Sequence, residues 1–148
     1  MLQTAQVNSK AVDLSSAPWT MQEFFAGSGL VAYGLKGMFA PVWANDISEQ
    51  KAAVYEANFG AEHFELGDIK EIKGNTLPAA HLSWASFPCQ DLSLAGSLGG
   101  IHASRSGLVW EWLRILDEME NKPKILAIEN VAGLLSTNNG ENYRTLHM

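Results

Sequence analysis

Met21-Gln22-Glu23-Phe24-Phe25-Ala26-Gly27-Ser28-Gly29-Leu30-Val31-Ala32 is the stretch whose reading decides the fold. An apolar run, residues 21–26, stops at Gly27-Ser28-Gly29, and a helix-compatible segment, residues 30–38, follows. This is a G-x-G-x-x-A turn between a first strand and a first helix. The first glycine permits the tight turn, the second lets a ligand approach the backbone, and the small Ala32 lets helix and strand pack closely.

Downstream, the same alternation repeats. Residues 41–44 predict a second strand that ends at Asn45-Asp46. Ser48 predicts the N-cap of a helix running to Asn58, with Gly60 just past its end. Residues 63–66 and 81–87 predict a third and a fourth strand. Leu108, Val109, Trp112, Ile115, Leu116 and Met119 recur with helical period, and Lys122-Pro123 stops that helix. Residues 124–128 (KILAI) are apolar throughout and predict a fifth strand buried on both faces. Strands alternating with helices predict an α/β domain with an open, mostly parallel, doubly wound sheet and right-handed crossovers. In the order 3-2-1-4-5, the ligand crevice falls where the order reverses, between strands one and four.

The 148 residues, 47% hydrophobic and 18% charged, suit one ordinary domain. Residues 1–20 are polar and mixed and read as a disordered arm; residues 21–148 form the domain. No apolar run is long enough to cross a bilayer, and residues 1–20 lack the pattern of a secretory signal. A single cysteine, Cys89, excludes a disulfide framework, and four scattered histidines give no metal-binding pair, so no metal is expected. The setting this implies is a reducing cytoplasm. The net charge of −6 argues against a domain that grips nucleic acid mainly by attraction to phosphate.

Chemistry-bearing residues gather at the carboxyl ends of the predicted strands. Asp46 lies 46 − 27 = 19 residues beyond Gly27, where a carboxylate accepts hydrogen bonds from ribose hydroxyls. Both NAD and S-adenosylmethionine satisfy the glycine turn with this acid. Asp68, in Gly67-Asp68-Ile69 after strand three, is placed to read an adenine amino group or to cap a turn. Cys89 follows strand four in Pro88-Cys89-Gln90, past the apolar run and before the glycine-rich residues 93–100. A thiol there is a candidate nucleophile, and the glycines are candidate hinges. Glu129 follows strand five directly, where desolvation is expected to raise a carboxyl pKa. Neighbouring strands lie about 5 Å apart. The sheet order should therefore bring Cys89 and Glu129 together beside the glycine turn, an arrangement suited to methyl transfer onto an unreactive ring carbon.

Glu23-Phe24-Phe25-Ala26-Gly27-Ser28-Gly29, Asn45-Asp46, Gly67-Asp68-Ile69, Phe87-Pro88-Cys89-Gln90, Ser104-Arg105 and Glu129-Asn130-Val131 together resemble the DNA (cytosine-5) methyltransferases in order and spacing, over roughly residues 21–140. The resemblance implies a Rossmann-like S-adenosylmethionine-dependent methyltransferase fold. Cys89 would be the nucleophile, and Glu129 would contact N3 and the amino group of the target cytosine. Phe25, Ala26, Gly27, Ser28, Gly29, Asp46, Ile47, Asp68, Ile69, Pro88 and Leu108 would form the site for S-adenosylmethionine and its product S-adenosylhomocysteine. Gln90, Ser93, Arg105 and Asn130 would meet the substrate. The implied partner is double-stranded DNA with a flipped cytosine, in a bacterial restriction-modification setting in the cytoplasm or nucleoid, with no membrane and no metal.

Two local departures stand out: Leu30 in place of a further glycine, and Ser106-Gly107 where a Gly-Thr pair is common. The family's later Gln-x-Arg-x-Arg motif, target-recognition region and last cofactor segment are also missing. The resemblance therefore implies an N-terminal catalytic part, truncated, inactive alone, and completed by the remaining methyltransferase segment or a complementary chain. Those missing parts carry much of the family's basic charge, which reconciles the acidic balance with a nucleic-acid substrate. An RNA (tRNA) cytosine-5 methyltransferase shares the same core. A nicotinamide-dependent oxidoreductase shares the glycine turn but leaves Cys89 and Glu129 without a role.

Overall fold

The computed structural model describes residues 17–88 and 107–132. Five strands form one sheet: β1 (Trp19–Phe24), β2 (Phe39–Asp46), β3 (Phe64–Leu66), β4 (Leu82–Ala85) and β5 (Ile125–Ile128). Their spatial order is β3-β2-β1-β4-β5, and every neighbouring pair is parallel. This is the doubly wound sheet expected, with the order reversing between β1 and β4. Among the described residues three helices cover it: α1 (Leu30–Gly34), α2 (Glu49–Phe59) and α3 (Leu108–Glu118). Two short 3-10 turns, Ile69–Glu71 and Gly74–Thr76, join β3 to β4.

β1 is the central strand. Met21, Gln22, Glu23 and Phe24 are all buried, as a strand covered on both faces requires. On one face Phe24 packs with Trp43, Ala85, Phe87 and the apolar stripe of α3: Val109, Trp112, Ile115 and Leu116. That stripe is the helical period read from the sequence. Burying a side chain of this size contributes roughly 2–3 kcal/mol. The Trp112 indole N–H is satisfied by donating to Ser83 Oγ at 2.9 Å. On the other face Ala26, Ala32 and Ala44 make room for Tyr55 and Phe59 of α2.

α3 is also pinned at its polar side. Arg114 pairs with Glu111 at 2.8 Å and Glu118 at 2.7 Å, and donates to the Ile72 carbonyl at 3.0 Å. Glu118 accepts the Gly74 N–H at 2.9 Å. A Cβ on Gly74 would lie 2.0 Å from the Ile115 carbonyl oxygen, so only glycine lets the turn approach α3 this closely.

Three expectations are corrected. The first helix is only five residues long, because Gly37, at φ +83°, turns the chain back into β2. β2 is twice the expected length and carries Pro41 at a register shift against β1, where a missing N–H is tolerated. β5 is not buried on both faces. It is an edge strand among the described residues, as β3 is at the other side, and Ile125 and Leu126 are 51% and 53% exposed. No described helix is long and apolar enough to cross a membrane.

Candidate active site

The carboxyl ends of β1, β2 and β4 open onto a cavity of about 430 Å3. Its size suits a small-molecule ligand. Phe25, Asp46 and Ile47 line one side, Gly67, Asp68 and Ile69 another, and Pro88 and Leu108 close the β4 side. Phe25 holds φ at +58°, a region that a bulky residue rarely occupies. Its ring sits edge-on to Phe87 with centroids 6.4 Å apart. Such a strained aromatic at a cavity wall is the kind of outlier that function maintains.

Asp46 organises the floor. One carboxylate oxygen accepts the Gly27 N–H at 2.9 Å, and the other accepts the Ser48 N–H at 2.9 Å. The acid thereby ties the glycine turn to the start of α2. Each oxygen keeps a second lone pair able to accept a further hydrogen bond from a ligand. Ser48 is the N-cap foreseen, its Oγ accepting from the Lys51 N–H at 3.4 Å. Beside Asp46, buried Asn45 donates to the carbonyls of Glu65 (2.8 Å) and Gly67 (3.0 Å). It clips the Gly67-Asp68 loop to the end of β2. Asp68 accepts the Lys70 N–H at 3.0 Å through one oxygen and caps the first 3-10 turn. Asp68 is thus both cavity wall and turn cap.

The two glycines divide their work differently from expectation. Gly27 at φ +58° makes the turn, and a Cβ there would meet only the Lys51 Cδ, at 4.0 Å. Gly29 was expected to admit a ligand. A Cβ there would lie 2.4 Å from the Phe59 ring and 2.9 Å from Tyr55, so its bareness serves α2 packing instead.

β4 and β5 bring the second pair of motifs together. The Glu129 N–H donates to the Ala85 carbonyl at 3.0 Å, and the Asn130 side-chain amide donates to the Phe87 carbonyl at 2.9 Å. The residues after β5 therefore run alongside the Phe87-Pro88 exit of β4. Glu129 itself is exposed, which corrects the expectation that strand burial would desolvate it.

The strongly desolvated carboxyl is Glu23, on β1 beneath the glycine turn. It is 1% exposed, and neither oxygen has a hydrogen-bond partner among the described residues. Burial pushes its pKa up to about 8; the Ala32 N–H moderates this without meeting hydrogen-bond geometry. Tyr55 lies near it, and burial with the Glu23 charge raises that phenol. The Tyr55 hydroxyl lies 3.2 Å from Nε2 of His63, whose own pKa burial lowers.

A family model for C-5 cytosine-specific DNA methylases matches residues 19–147. The chain belongs to that family. Among curated relatives of this methylase chain, the type II methyltransferase M.BsuFI of Bacillus subtilis is 34% identical over 128 residues, covering 86% of the chain. M.HhaI of Haemophilus parahaemolyticus is 35% identical over 119 residues, covering 80%. The chain spans only 30% and 35% of those two relatives. The solved Dnmt2 methyltransferase of S. pombe superposes with a TM-score of 0.64 at 24% identity, covering 86% of the chain and 38% of that structure. A TehB-like SAM-dependent methyltransferase of Corynebacterium glutamicum gives 0.55 at 11% identity, covering 88% and 64%. The sheet is thus a Rossmann-like methyltransferase fold. The nicotinamide reading falls away with the family assignment.

Of the residues singled out in the sequence, Phe25, Asp46, Ile47, Asp68, Ile69, Pro88 and Leu108 line the cavity. Ala26, Gly27, Ser28 and Gly29 form the turn at its margin. Cys89, Gln90, Ser93 and Arg105 lie outside the described residues. Asn130, foreseen at the substrate, commits its amide to Phe87 and its oxygen to the Val131 N–H at 2.9 Å. Sequence reasoning missed the Asn45 clip and Lys51, which also lines the cavity. A signal for Lys51 existed: helix side chains lean toward the N-terminus, and Lys51 sits one turn inside α2.

Proposed function

We propose that this chain is the cofactor-binding and nucleophile-bearing part of an enzyme that methylates C5 of cytosine in DNA. The observation that carries the reading is the pair of contacts from Glu129 and Asn130 to Ala85 and Phe87, at the edge of a cavity of small-molecule size. These contacts put the Glu129 segment next to the strand exit that leads into Cys89. The donor set fits S-adenosylmethionine: Asp46 for the ribose, the Asp68-Ile69 turn for the adenine edge, Phe25 and Leu108 as apolar walls.

Bound S-adenosylmethionine supplies a sulfonium methyl, the electrophile that an activated ring carbon needs. Cys89, as thiolate, adds to C6 of a cytosine drawn out of the duplex and makes C5 electron-rich. Glu129 holds a proton at N3, where charge builds as the adduct forms. Asn130 and Pro88 hold the two segments in register. Once C5 carries the methyl group, loss of the C5 proton to a base expels Cys89 as thiolate and restores the ring. The relatives' type II methyltransferase names support a restriction-modification setting, with the rest of the methyltransferase supplying sequence readout.

A duplex with 5-fluorocytosine at the target tests the mechanism, because fluorine at C5 cannot leave as a proton does. The full-length protein with S-adenosylmethionine should form a gel-stable adduct, and Cys89→Ser should form none while still binding S-adenosylhomocysteine. Undiminished methyl transfer by Cys89→Ser overturns the covalent route. Transfer to RNA but not to DNA reassigns the substrate.

A further inference from the structure

We propose that Lys51 is a specificity-determining residue of the cofactor site, reading the carboxylate at the end of the cofactor's amino-acid arm. The inference rests on S-adenosylmethionine being the ligand of this cavity.

Lys51 stands one turn into α2, and its side chain runs back along the helix toward the glycine turn. Its Cδ lies 4.0 Å from the point where a Cβ on Gly27 would sit, so the stem passes over the turn. It lines the same cavity as Asp46. Among the described residues its ammonium makes no ion pair and no side-chain hydrogen bond. The adjacent acid does not engage it: both Asp46 oxygens face backbone N–H groups.

Two of the glycine turn's own donors are already in use, which gives a side-chain cation beside it a part to play. An anion arriving at such a turn is ordinarily met by free backbone N–H groups. Here the Gly27 N–H is committed to Asp46 and the Gly29 N–H to the Ala26 carbonyl at 3.0 Å. With its ribose at Asp46, the ligand directs the group beyond the ribose across Gly27, toward Lys51. In S-adenosylmethionine that group ends in a carboxylate. A lysine there selects ligands carrying the intact arm over neutral adenosine thioethers.

Calorimetric titration of the full-length protein with S-adenosylhomocysteine and with 5′-methylthioadenosine, which lacks the arm, tests this. Lys51→Met should weaken S-adenosylhomocysteine about fivefold, a modest factor suited to an exposed lysine, and leave methylthioadenosine within twofold. Lys51→Glu should weaken S-adenosylhomocysteine further and still spare methylthioadenosine. Equal losses for both ligands, or no loss for either, overturn the role of Lys51 while the cofactor reading stands. Wild-type protein that binds neither ligand overturns both.

Discussion

The side-chain amide of Asn130 donates to the carbonyl of Phe87 at 2.9 Å, joining the segment after β5 to the one after β4 across 43 residues of sequence. Its oxygen accepts the Val131 N–H, so the one side chain both caps its own turn and grips the neighbouring strand exit. Together with the bond from the Glu129 N–H to the Ala85 carbonyl, it holds the two segments in register.

Removing that grip should therefore separate stability from catalysis. Asn130→Ala should cost about 1 kcal/mol in urea unfolding, the ordinary worth of a half-buried hydrogen bond. In the full-length protein kcat should fall roughly tenfold or more, because small misplacements of reacting groups are expensive. Affinity for S-adenosylhomocysteine should stay within twofold, since Asn130 does not line the cavity. An unchanged kcat in steady-state methylation would deny the clamp its positioning role.

The two glycines of the turn should respond differently to alanine. Gly29→Ala combines left-handed backbone, φ +83°, with a Cβ driven into the Phe59 and Tyr55 rings. It should cost roughly 3 kcal/mol or more. Gly27→Ala makes only an ordinary contact, with the Lys51 Cδ at 4.0 Å, and carries the strain of φ +58°, about 1 kcal/mol. Denaturation midpoints of the two variants, compared at equal m-values, measure the difference.

The topology was legible because each strand announces itself locally: apolar runs, glycine turns and the Ser48 cap all act within a few residues. Asp46, Asp68 and Glu129 were legible for the same reason, each standing at or just past the end of a strand. What stayed hidden depends on neighbours far along the chain. Nothing near Gly29 tells that Phe59 will press on it, and nothing near Asn45 tells that Gly67 will need its amide. KILAI reads as a buried strand because its composition is that of one, whereas its place at an edge among the described strands is set by the order in which they pair. Glu23 was visible as a residue of the first motif, yet its isolation follows from α1 and α2 closing over it.

Asp46→Ala should weaken S-adenosylhomocysteine by at least tenfold in calorimetry. The variant removes the ribose acceptor and leaves the Gly27 and Ser48 N–H groups without partners, each a loss on the order of 1 kcal/mol. Asp46→Asn keeps one acceptor oxygen but turns an NH2 toward one of those donors, so it should recover only part of the affinity. Full recovery by asparagine would mean that the carboxylate's second acceptor is not needed.

Glu23 should write its isolation into the pH dependence of stability. In the unfolded chain its carboxyl titrates near the ordinary glutamate value of 4.5, and in the folded protein near 8. Below 4.5 both states hold the proton, and folding is indifferent to this group. Between the two values the folded state holds a proton that the unfolded state has released, so stability falls as pH rises. Above about 8 both states have lost it, and the full cost, on the order of a few kcal/mol, is in place. Glu23→Gln carries no such proton. Whatever fixed penalty the buried amide brings is the same at every pH, so only the slope is diagnostic. Unfolding free energies taken at intervals from pH 5 to pH 9 should decline for wild type relative to Glu23→Gln through this window and run parallel beyond it. Parallel lines throughout would mean that the Glu23 carboxyl finds a partner, or water, that keeps it charged.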